Sequence, residues 1–112
     1  LCFDADVDNL NDLFYFINLL GDKICILKLH YNIIKDFNKN IEYTINTLNH
    51  LKKRYDFLIW EDKKYADINI IIERQINNNI SKWADIVSIH AMVDKKFFQN
   101  IKNIKNINII YL

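Results

Sequence analysis

Four times along this chain an apolar run of strand length gives way to a segment with helical periodicity, and a fifth such run ends it. That alternation constrains the fold more than any other feature, because strands joined by helical crossovers lie parallel and cross over right-handed. "LCFDADV" reads as the first strand. Asp8 or Asn9 can cap the helix that follows, on which Leu10, Leu13, Phe14, Ile17 and Leu20 share one face. Gly21 then reads as a left-handed C-cap. "KICILKLH" is nearly continuous in apolar residues, as strands buried on both faces are. Ile41, Ile45, Leu48 and Leu51 or Lys52 mark a second helix running to about Tyr55. "DFLIWED" is a third strand, followed by a helix from about Ala66 or Asp67 to Asn78. "ADIVSIHA" is a fourth strand, "DKKFFQNIKNIKN" a fourth helix and "INIIYL" a fifth strand.

Two closures satisfy this order. A doubly wound sheet of the Rossmann kind wants a glycine-rich first turn, and here that turn reads "DADVDN". The expectation is therefore α/β, a (β/α)8 TIM-barrel type. A full barrel takes about 250 residues, so the 112 residues form one partial domain, from the first strand to the fifth. The first strand and residues 107–112 would then be open edges, an aggregation hazard. Closure calls for further sequence or a partner chain, and Leu1 in place of Met fits a piece of something longer.

Composition narrows the function. Half the residues are hydrophobic and the net charge is +1 with both signs interspersed, so neither nucleic acid nor an anionic membrane is expected as a partner. No apolar run approaches the roughly 18 residues of a membrane span. Cys2 and Cys25 sit in apolar runs and read as buried, reduced thiols, which points to a reducing compartment and a cytoplasmic location. Thirteen lysines against two arginines, many Ile and Asn, one Gly and no Pro suit an A+T-rich genome, so "NNN" at 77–79 and "NIKNIKNINII" carry no functional weight.

In (β/α) folds chemistry sits at the C-terminal ends of strands. Strand one ends in Asp4 and Asp6, strand two in Lys28 and His30, strand three in Asp62 and Lys64 with Asp67 just beyond, and strand four in His90. Pairs spaced i, i+2 share a face, so four strands deliver their charges to one rim. A single such pair is ordinary solvated loop chemistry; four in register favour a site. Lys64 between Asp62 and Asp67 would stay protonated, and Lys28 beside Asp62 would extend the alternation to Lys-Asp-Lys-Asp. An ammonium held on both sides by carboxylates is no nucleophile, and a lysine at the centre makes no metal site. Its use is electrostatic: a fixed positive charge with a proton to give, beside a carbon that becomes negative.

These residues resemble orotidine 5′-monophosphate decarboxylases of the eukaryotic type. "LCFDADV" is similar to that family's first strand, "GDKICILKLH" to its "GPxICLLKTH", "FLIWEDKKYADI" to "FLLFEDRKFADIG" and "WADIVSIHA" to "WADIxNAHG". The likeness runs through the whole chain and covers the first half of the family's barrel. It implies removal of CO2 from orotidine monophosphate to give UMP in de novo pyrimidine biosynthesis, without metal or organic cofactor. By position, Lys64 would be the proton donor to C6 and Asp62 would lie by the departing carboxylate. Asp67 would reach the partner's site across a homodimer interface, and Asp6 and Lys28 would contact the ribose. His30 and Ile68 would line the substrate, and His90 would position or pack. Departures stand beside the matches: Asp4 where the family has Ser, Leu29 for Thr, Asn69 for Gly, Ile71 for Thr, and Ala91 and Asp94 in a loop that otherwise contains glycine. The later strands, which in the family grip the phosphate, lie outside the chain. Two alternatives follow: a truncated, inactive decarboxylase-like module with a structural or interaction role, and a related metal-dependent sugar-phosphate lyase.

Overall fold

The computed structural model describes residues 1–90, 104 and 106–112. The expected fourth helix and Ala91 lie outside the described residues, apart from Ile104 and Asn106. Five strands form one sheet: β1 (Cys2–Asp4), β2 (Ile26–Leu29), β3 (Leu58–Tyr65), β4 (Ile86–Ile89) and β5 (Asn108–Tyr111). All four neighbouring pairs are parallel and the spatial order follows the chain order. A doubly wound sheet reverses its order at a switch point; here there is no reversal. Right-handed crossovers that always advance the same way put every helix on one face and leave the other to become the inside of a barrel.

Among the described residues the α-helices are α1 (Leu10–Leu20), α2 (Ile41–Tyr55) and α3 (Asn69–Asn78). Asn9 caps α1, its side-chain oxygen accepting from the Asp12 amide at 2.9 Å, and Asn40 caps α2 by accepting from Tyr43 at 3.2 Å. Leu10, Leu13 and Ile17 of α1 are buried, and Phe14 and Leu20 pack at the margin. On α2 the buried stripe is Thr44, Leu48 and Leu51, with Ile41 and Ile45 only partly covered. Thr44 tolerates burial because its hydroxyl donates toward the Phe37 and Asn40 carbonyls, at 3.0 and 3.1 Å. The core is the layer between these helices and the sheet face bearing Leu27, Leu29, Ile59, Val87 and Ile89, all fully buried. Trp83 is buried in this core, tilted against Phe37 and edge-on to Tyr31 at centroid distances of 5.3 and 6.1 Å.

Asp85 ties the lower rim. Its carboxylate accepts from the Ile59 amide at 2.8 Å and from Lys52 of α2 at 3.0 Å, fixing β3 against β4.

Four expectations need correction. Gly21 is not left-handed: its φ is −56°, and α1 tightens into a 3-10 turn over Gly21–Lys23. The glycine is required by proximity, since a Cβ there would lie 2.6 Å from the Tyr55 ring. Cys2 and Cys25 are exposed free thiols, because β1 is a three-residue edge strand and Cys25 precedes β2 at the open rim. β2 is buried on one face only; Ile26 and Lys28 look toward the uncovered side. β3 runs three residues past Asp62, and α3 starts only at Asn69.

Candidate active site

The extension of β3 shapes the site. Glu61 pairs with Val87 and Tyr65 with Ile89, so four steps along β3 oppose two along β4. The extra residues form a bulge, the device by which strands re-aim side chains near functional sites. Lys64 takes the strain with a φ of 58°, rare for a residue with a long side chain. The ladder resumes beyond it, where the His90 amide donates to the Tyr65 carbonyl at 3.0 Å. Within the bulge Lys63 turns its ammonium over the Tyr65 ring at 5.0 Å, and Lys64 folds back toward Asp62.

Asp62 is the hub, with a relative exposure of 3%. Its Oδ2 lies 2.5 Å from Lys64 Nζ, 3.3 Å from Lys28 Nζ and 3.7 Å from His30 Nε2. Its Oδ1 accepts from the Ser88 hydroxyl at 2.6 Å, and that hydroxyl accepts from Trp60 Nε1 at 2.7 Å. Lys28 also donates to Asp4 Oδ2 at 2.8 Å and stands 5.5 Å over the Trp60 ring. Strands β1 to β4 thus bring Asp4, Lys28, Asp62, Lys64 and Ser88 to one place at the C-terminal rim. Lys28 and Lys64 converge on a single carboxylate oxygen instead of diverging into solvent.

Burial works to raise the Asp62 pKa, but hydrogen bonds from Lys64, Ser88 and Lys28 outweigh it and hold the carboxyl below its usual range. The Asp4 hydrogen bond drives Lys28 upward, burial opposes it, and Asp62 adds to the rise. Both charges are therefore locked on at neutral pH. The middle of the array is covered, while the Lys64 side chain at its end keeps 43% exposure, leaving an ammonium with open access.

The order of the array differs from expectation. Within one chain it reads Asp4–Lys28–Asp62–Lys64, and Asp67 is no part of it. With α3 starting at Asn69, Asp67 stays in the exposed lead-in, where its Oδ1 accepts from the Ile68 amide at 2.7 Å. Ile68 is 66% exposed. Asp6 is exposed and its side chain has no hydrogen bond or ion pair among the described residues. Among the described residues His90 shows only its backbone contact to Tyr65. Leu29 is fully buried, so its place suits an apolar residue, while the buried Asn69 side-chain oxygen has no hydrogen-bond partner among the described residues. Among the described residues no three His, Cys, Asp or Glu side chains group to hold a metal ion.

Two participants escaped sequence reasoning, and a third was placed at the rim without its partner. Trp60 lies in the apolar run "DFLIWED", and nothing local shows that its N–H and ring both serve the site. Ser88 carried a signal: it is the polar residue of an apolar strand, two places before His90. Asp4, read only as a strand-end charge where the family has Ser, pairs with Lys28.

A parallel, sequentially wound sheet with an alternating charge array on its inner rim defines a half-barrel of the (β/α)8 class. The profile of the Orotidine 5′-phosphate decarboxylase / HUMPS family matches residues 1–106, and the chain belongs to that family. It is similar to uridine 5′-monophosphate synthase of Bos taurus, with 39% identity over 95 residues, 82% of this chain and 19% of that protein. To orotidine 5′-phosphate decarboxylase of Saccharomyces cerevisiae the identity is 36% over 105 residues, 91% of this chain and 39% of that one. The solved structure of orotidine 5′-phosphate decarboxylase from Pyrococcus horikoshii superposes with a TM-score of 0.64 at 18% identity, over 97% of this chain and 50% of that chain. The chain thus spans less than half the length of the curated relatives it matches.

Proposed function

We propose that this chain supplies the charge array of a cofactor-independent orotidine 5′-monophosphate decarboxylase acting in pyrimidine biosynthesis, with residues 1–112 as one partial barrel domain. The observation that carries the reading is Asp62 Oδ2 held between the ammonium groups of Lys28 and Lys64. The substrate's C6 lies at Lys64 with its carboxylate toward Asp62. The C6–carboxylate bond breaks, CO2 leaves, and the electron pair remains on C6. Lys64 Nζ gives that carbon a proton to form UMP and is reprotonated from solvent. The fixed ammonium stabilises the charge as it develops, and its geometry is prepaid by the fold. Asp6 and Lys28 hold the ribose hydroxyls, while His30 and Ile68 bound the substrate. Asp67, exposed and apart from its own array, supplies a carboxylate to a second copy in a homodimer. A cytoplasmic location goes with this metabolic role. The relatives named as decarboxylases favour this reading over a sugar-phosphate lyase.

The test is CO2 release from orotidine 5′-monophosphate by the intact protein and its Lys64→Ala variant. Loss of the proton donor is expected to slow turnover by at least about a hundredfold. No turnover by the unaltered protein would favour the inactive-module reading instead.

A further inference from the structure

We propose that Trp60 and Ser88 are positioning residues of this site, a one-directional hydrogen-bond relay that sets the plane of the Asp62 carboxylate and so aims a single oxygen at both lysines. The role rests on the decarboxylase reading; the geometry beneath it does not.

An indole N–H can only donate. Trp60 Nε1 lies 2.7 Å from Ser88 Oγ, so Oγ accepts there and its one proton is directed elsewhere. Asp62 Oδ1, 2.6 Å away, takes it. Ser88 is fully buried, so no solvent competes for that hydroxyl. The terminal torsion of an aspartate is soft, and ion pairs at Oδ2 alone would let the carboxylate swing between Lys28 and Lys64. A second, charge-assisted bond at Oδ1 removes that freedom. The strands make the arrangement possible. Lys28 stands opposite Trp60 on β2 and β3, Trp60 stands opposite Ile86 on β3 and β4, and Ser88 follows two residues on, on the same face. Trp60 therefore serves twice, since its ring also lies beneath the Lys28 ammonium at 5.5 Å. The family motifs to which these strands are similar carry Phe and Asn at these two places.

The intact protein should be prepared unaltered and as Ser88→Ala, Ser88→Thr and Trp60→Phe. Asp62 faces Lys28, Lys64 and His30 at Oδ2 and Ser88 at Oδ1, with Glu61 adjacent in the strand. Its carboxyl can be followed without ligand by 13C NMR titration. Ser88→Ala should titrate at higher pH than the unaltered protein, Trp60→Phe should move the same way by less, and Ser88→Thr should restore it. With orotidine 5′-monophosphate, Ser88→Ala should lose about ten- to a hundredfold in kcat with a smaller change in KM, and the acid limb of its pH profile should move up. An unchanged Asp62 titration in Ser88→Ala overturns the proposal whatever the rates do. Should Ser88→Ala not fold, an unchanged titration in Trp60→Phe overturns it. An unaltered protein that releases no CO2 defeats the decarboxylase reading alone, and the titration still decides the relay.

Discussion

Two neighbouring carboxylates on β3 meet opposite fates. Asp62 has two ammonium groups, an imidazole and a hydroxyl around it and is held ionised. Glu61 points to the helix-covered side, fully buried, with one oxygen accepting from the Tyr31 amide at 3.1 Å and the other without a hydrogen-bond partner. Burial pushes its pKa up to about 8, against the opposing pull of the Tyr31 amide and Lys63. An unfolded chain releases this proton near 4.5 and the folded one near 8. Between those values the folded state holds more protons, so stability falls as pH rises. Glu61→Gln, neutral at every pH and of the same shape, is expected to remove that slope. It should stabilise the intact protein by on the order of 3 kcal/mol at pH 7. Melting temperatures between pH 5 and 8 check this; parallel profiles for the two proteins would contradict it. Asp62 works the other way: its contribution is present above the ordinary carboxylate range and is lost as pH falls through its lowered pKa.

Among the elements, the start of α1 was legible, because Asn9 caps where apolar periodicity begins, while the start of α3 was misplaced and the turn at the end of α1 misread. What stayed hidden depends on neighbours distant in sequence. Gly21 has an ordinary α conformation, and only the Tyr55 ring of α2 explains why no side chain is accommodated. Gly21→Ala should therefore destabilise by about 1–3 kcal/mol through overpacking, although alanine is the better helix former. A lowered urea midpoint at unchanged slope would show it, and a raised midpoint would contradict it. The β3 bulge was equally illegible. Pleat parity places Asp62 and Lys64 on one face, but the reason they meet is two extra residues and a left-handed Lys64, neither of which any local motif announces. The cysteines misled for the same cause: an apolar run implies burial only when both faces of its strand are covered, and β1 is an edge.

On the scale of the whole molecule, strand alternation and the missing glycine-rich turn were enough to choose a barrel over a doubly wound sheet, and the unbroken strand order agrees. The charged residues could be assigned to a rim but not wired, since only the β1–β2 pairing puts Asp4 on Lys28, and only the late start of α3 holds Asp67 apart. What the rim achieves depends on compensation: two ammonium groups share one buried carboxylate, and removing its charge leaves both without their common partner. CO2 release from orotidine 5′-monophosphate by the intact protein carrying Asp62→Asn tests that dependence most directly. A fall of at least about a hundredfold, with the fold retained by circular dichroism, is the expected result. Turnover equal to the unaltered protein would contradict the account.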